Sequence, residues 1–196
     1  NATGTAALLA IFRHFAANQP RRTLRFLWCG SEEMGLLGSK AYVKQKEELL
    51  DKIGFCFNFD MCGTALGANN IFVTGEKELQ TFAEQYCKLA CYSAKITVVV
   101  HSSDSAPFCD KGIPALGLSR ETTTAEIHTI HDLSATLSEK AMQKNVAFAI
   151  RLIGDVANAA VLPVKKGMPE ETKKELDKYF HRENEKEQQE KQMAGK

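Results

Sequence analysis

RTLRFLWCGSEEMGLLGS, residues 22–39, joins a strongly apolar run to a glycine-bounded turn carrying two adjacent carboxylates, Glu32 and Glu33. TLRFLWC, 23–29, has the length and aromatic content of a short buried strand. GLLGSKAYVKQKEEL, 35–49, continues it as a helix. A buried strand turning directly into a helix is the repeating step of an α/β protein. The two glutamates are the anomaly. Neighbouring like charges repel, and a carboxylate at a buried strand end costs free energy unless something positive neutralises it. One answer is that one Glu caps the helix while the other is solvated. The other answer is a metal site, with one Glu binding the ion and its neighbour handling protons.

The same alternation continues along the chain. Residues 5–17 read as a helix, 53–63 as an aromatic-rich strand ending at Asp60, and 70–75 as a further strand. Residues 76–93 form a helix with Leu79, Phe82, Tyr86 and Leu89 on one face. KITVVVH, 95–101, and IPALGLS, 113–119, are two more strands, separated by a short helix closed at Gly112. Residues 138–161 are a long helix. The pattern predicts an α/β three-layer sandwich: a central, mostly parallel or mixed sheet flanked by helices. Residues 1–162 make one domain. Pro163 ends the pattern, and 163–196 is a lysine- and glutamate-rich tail. Leu176, Tyr179 and Phe180 mark one apolar stripe on it, yet its composition supplies almost no core. The expectation is a solvated, helical tail that the domain does not need.

The 196 residues are 44% hydrophobic and 25% charged, with a net charge of +1. That balance sets up no field for nucleic acid or a membrane surface. No apolar run is long enough to span a bilayer, and no secretory signal is visible. The six cysteines show no zinc-finger spacing, which argues against a cysteine-ligated structural metal. Reduced thiols and a reducing, cytoplasmic compartment are the expectation. The chain opens at Asn1 inside what reads as a motif, so it is expected to be the later part of a longer protein.

In open α/β sheets, functional groups gather at the carboxyl ends of strands. Those ends carry Glu32–Glu33, Asp60, and His101 to Asp104; the segment after 113–119 reaches His128, His131 and Asp132. Carboxylate plus imidazole suits zinc. Each residue has a plainer use. Asp60 could form a turn, Ser103 or Asp104 could cap a helix, and His128 and His131 could lie exposed. His14 belongs on a helix surface. Several candidates at successive strand ends favour the metal.

Five segments in order carry a resemblance: NATGTAALL, RTLRFLWCGSEEMGLLGSKAYV, FNFDMCG, SSDSAPFCDKGIPALGL and IHTIHD. They resemble the co-catalytic zinc peptidases of clan MH, relatives of bacterial leucyl aminopeptidase, glutamate carboxypeptidase and glutaminyl cyclase. The resemblance covers residues 1 to about 162. It implies a zinc-dependent aminopeptidase acting on peptide substrates through a metal-activated water, with two zinc ions in the complete protein. It implies that Glu32 is the general base, Glu33 and His128 ligands of one zinc, Asp60 a ligand of the other, and Asp132 a support behind the ligands. Glutaminyl-cyclase-like acyl transfer and a non-catalytic binding module are the alternatives.

The pattern departs from the family in three places. A metal-binding His and the Asp bridging both zincs lie, in the family, upstream of the segment matching Asn1. Ser105 stands where histidine is common. As it stands, the chain is expected to be inactive, with an open sheet edge and part of its core exposed.

Overall fold

A computed structural model of the chain describes residues 1–121 and 127–182. One sheet runs through it, built from β1 (Cys56–Phe59), β2 (Asn69–Thr74), β3 (Lys95–Val98) and β4 (Ala115–Arg120). The spatial order is β1-β4-β2-β3. β1 pairs parallel with β4, and β2 parallel with β3, but β4 and β2 are antiparallel. The sheet is therefore mixed, as expected, and its two halves run in opposite directions.

Helices cover both faces. Neighbouring residues of β4 point to opposite sides, as pleating requires: Leu116 joins one core cluster and Ala115 another. On the first face lie α1 (Ala2–Ala17), α4 (Lys77–Leu89) and α6 (Glu139–Asn158). Their Ile11, Leu79, Phe148 and Leu152 meet Phe59, Ile71, Val73 and Leu118 of the strands. On the second lie α2 (Leu37–Gln45), α3 (Glu47–Leu50) and α5 (Ala106–Asp110). Val43, Leu50 and Phe108 pack there with Ile113. No described helix is long and apolar enough to cross a membrane.

Helix ends are anchored by side chains. The Ser138 hydroxyl caps α6 by accepting from the Ala141 N–H. At the other end the Arg22 guanidinium donates to the Val156, Ala157 and Ala159 carbonyls. It satisfies acceptors that the last turn leaves open and places a cation at the negative end of the helix dipole. The α4 face is rotated from the expectation. Leu79 and Tyr86 are buried with Ala83 and Cys87, whereas Leu89 ends the helix facing solvent.

Residues 23–29 do not form a strand. The side chains follow the expected pattern, Leu24 and Phe26 packing on the main core and Leu27 on the second cluster. What is missing is a ladder: β1 is the edge of the described sheet, and the segment makes no ladder with it. Beside it, Phe12 and Trp28 are exposed and packed edge to face, with ring centroids 6.4 Å apart.

The tail overturns the expectation of a solvated segment. α7 (Glu170–Tyr179) docks on the second face. Met168 and Leu176 are buried against Cys109 and Ala115. Upstream, Val164 enters the main core, and the Lys166 ammonium donates to the Leu50 and Asp51 carbonyls beyond α3. A few well-placed apolar residues decide the docking; the charged majority stays in water. The tail beyond residue 182 lies outside the described residues.

Candidate active site

Glu32 and Glu33 occupy a single 3-10 turn, Glu32–Met34. Ser31 (φ 58°) and Leu36 (φ 61°) flank it in the left-handed region, which non-glycine residues rarely adopt. The loop closes through Leu36 N–H to Glu32 O at 2.8 Å and Gly38 N–H to Gly30 O at 3.1 Å. A Cβ on Gly38 would stand 2.6 Å from the Gly30 carbonyl oxygen, so only glycine allows the two limbs to approach this closely.

Asp60 follows β1, its N–H bonded to the Leu118 carbonyl. Met61 then turns left-handed at φ 50°. The Asn1 side chain ties this corner to α1. It accepts from the Gly4 N–H at 2.8 Å and the Met61 N–H at 3.3 Å, and donates to the Phe59 carbonyl at 3.1 Å. His128, at φ 63°, brings its Nε2 to 2.8 Å from Glu33 Oε1, with both side chains largely exposed. Left-handed backbone thus flanks or carries every one of these groups, a concentration typical of functional sites.

The electrostatics tie the group together. Burial, then the charges of Glu33, Asp60 and Asp104, push the Glu32 carboxyl above its ordinary range against the opposing pull of His128. Burial also raises Asp60, with Asp104 and Glu33 adding to the effect; the Met61 N–H opposes it. In the sequence, Asp104 is one of the strand-end candidates, with a helix cap as its plainer use. Here it caps nothing through its side chain, since Ser105 is the residue bounding α5. One carboxylate oxygen, Oδ1, is buried without a hydrogen-bond partner. Burial, the Asp104 charge and a hydrogen bond to it push the Cys29 thiol up to about 12.

Three further candidates make contacts of their own. His101 follows β3, whose carboxyl end points opposite to that of β1, and its ring stacks on Phe72 at 3.9 Å. Burial alone lowers its pKa. His131 and Asp132 lie on an exposed turn, their N–H groups bonded to Thr129 Oγ1 and to the Thr129 carbonyl. Asp132 is not among the charges that shift Glu32 or Asp60. Among the described residues, no three His, Cys, Asp or Glu side chains already form a metal cage. All six cysteines are free.

Two residues missed in the sequence hold the loop after Asp60. Arg120 donates to the Thr64 and Gly67 carbonyls and to Asn69 Oδ1 at 2.6–2.7 Å. Asn145, fully buried, donates to the Cys62 carbonyl and accepts from the Tyr92 hydroxyl, both at 2.7 Å. Only their long-range partners reveal them. Asn145→Ala strands both partners in the core and should cost about 1–3 kcal/mol. Chemical denaturation measures it, and a change under about 0.5 kcal/mol would show that the network contributes little.

Known proteins resemble this chain in sequence and fold. Leupeptin-inactivating enzyme 1 of Streptomyces exfoliatus is 38% identical over 121 residues, 60% of this chain and 28% of that protein. An aminopeptidase of Pseudomonas aeruginosa is 32% identical over 130 residues, 60% of this chain and 24% of that protein. The chain therefore spans about a quarter of the length of these curated relatives. BSAP, a zinc aminopeptidase from Bacillus subtilis, shares the fold with a TM-score of 0.72 at 23% identity, over 85% of this chain and 44% of its own. A glutaminyl cyclase from an Acidobacteriales bacterium aligns with a TM-score of 0.55 at 20% identity, over 77% and 60%. Residues 1–153 match the pattern of Peptidase family M28, from α1 through most of α6 and across Glu32, Glu33, Asp60, Asp104 and His128: the chain belongs to that family.

Proposed function

We propose that residues 1–162 form part of the catalytic domain of a zinc-dependent aminopeptidase that removes N-terminal residues from peptides. The observation that carries this is the 2.8 Å contact between His128 Nε2 and Glu33 Oε1, made across 95 residues of sequence beside Glu32 and Asp60. Two donors of one tetrahedral zinc lie roughly 3–3.5 Å apart, so the pair needs little adjustment to share an ion. The buried, partnerless oxygen of Asp104, and the burial and acidic neighbours that raise Glu32 and Asp60, both fit a site built around positive charge.

In this proposal Glu33 and His128 hold one zinc and Asp60 the second. When bound, zinc polarises a carbonyl and makes hydroxide accessible near neutral pH. Glu32, left free by the Glu33–His128 pairing, accepts a proton from the attacking water and returns it to the leaving amine.

Chelation and zinc add-back on the complete protein test this proposal. Activity on leucyl-anilide should vanish with chelator and return with zinc. Release of ammonia from an N-terminal glutaminyl peptide without anilide hydrolysis would favour acyl transfer instead. Neither activity, with zinc bound, would favour a binding module.

A further inference from the structure

α7 lies beyond the residues that match the family and bears none of the candidate ligands. Its contacts converge on one short segment. The Tyr179 and Ser102 hydroxyls are 2.8 Å apart, just ahead of Asp104. At the far end of α5 the Arg182 guanidinium meets the Asp110 carboxylate at 2.6 Å, while its other arm meets Asp177 of α7 itself at 2.7 Å. Between these grips Leu176 packs on Cys109. On its opposite side α5 leans on α2 through Phe108 and Tyr42, with ring centroids 5.8 Å apart. α2 is the helix that leaves the Glu32–Glu33 turn. α5 is thus held between α2, which leaves the glutamate turn, and α7.

The Asp104 carboxylate lies within the held segment, and one of its oxygens is buried without a hydrogen-bond partner. The short-range bonds there are Ala106 N–H to Ser103 O and the Ser103–Ser105 hydroxyl pair, both local.

We infer that α7, with Arg182 just beyond it, is a clasp on the active-site segment: Tyr179 and Arg182 hold residues 102–110 at both ends and so fix α5 against α2, the helix that leaves the Glu32–Glu33 turn, with Tyr179 a positioning residue. The catalytic half of this inference rests on the proposed peptidase site; the structural half does not.

Tyr179→Phe removes one hydroxyl and keeps the ring. In the 196-residue chain, amide exchange over residues 101–110 should speed up about fivefold in this variant. In Tyr179→Phe/Arg182→Ala it should speed up about tenfold or more, with α1 and α6 unchanged. Lys173→Ala, which breaks an ion pair internal to α7, is the control and should change nothing. In the complete protein, Tyr179→Phe should lower kcat about threefold to tenfold at unchanged KM. Ser102→Ala should match it, and the two together should lose no more than either alone. Unchanged exchange in the double variant overturns the clasp, whatever the enzyme does. Faster exchange with kcat untouched overturns Tyr179 as a positioning residue. Faster exchange in a complete protein that lacks peptidase activity supports the structural half and overturns both the catalytic half and the proposed function.

Discussion

Glu32→Gln in the complete protein should lower kcat about 10²–10⁴-fold on an aminoacyl-anilide while leaving bound zinc near the wild-type amount. Glutamine keeps the shape of the side chain and cannot take up a proton at neutral pH. The geometry separates the two glutamates: Glu33 is the one that meets His128, and Glu32 is the one raised by burial and by its acidic neighbours. Removing a charge from that crowded set should not weaken the remaining carboxylates as ligands. Turnover and metal content, measured on the same sample, decide the matter. Near-full activity would remove Glu32 from proton transfer. Loss of zinc along with activity would make it a ligand instead.

Leu176→Ala should destabilise the chain by about 2–5 kcal/mol, the range for emptying a fully buried leucine site. For a domain of this size that corresponds to a melting point lower by about 5–15 °C. The side chain is the deepest contact of α7, set against Cys109 and Ala115 at the base of the second face. Lys174→Ala on the same helix is the surface comparison and should stay within about 0.5 kcal/mol. Equal melting points for Leu176→Ala and the wild type would return the tail to the solvated state its composition suggests.

That contrast shows what the sequence reveals and what it hides. Ligand-type residues are legible because each sits in a short motif, as Glu32 and Glu33 do in GSEEMG and Asp60 does in FNFD. Helix and strand positions follow from periodicity and match within a few residues, from Ala2–Ala17 to Glu139–Asn158. Strand direction does not follow, because side-chain alternation is the same read either way. The reversal between β4 and β2 turns β3, which His101 follows, against the direction of β1. Pairing is equally silent: residues 23–29 have a strand's side chains and no ladder. α7 is hidden for another reason. One leucine among lysines and glutamates moves no average, yet it decides where the helix lies.

Asn1 links the order of events in folding to the site. Its side chain starts α1 and also fixes the corner at Asp60, across separations of 58 and 60 residues; His128 meets Glu33 across 95. By contrast β2, α4 and β3 are contiguous and can associate with little loop-closure entropy. The sheet's β2–β3 half can form early, while the carboxylates and imidazole meet only after the chain's distant parts have closed on one another. An ion that needs those groups together would bind the finished fold and not its precursors, so each bound ion adds to native stability by mass action and serves as a reporter of complete folding.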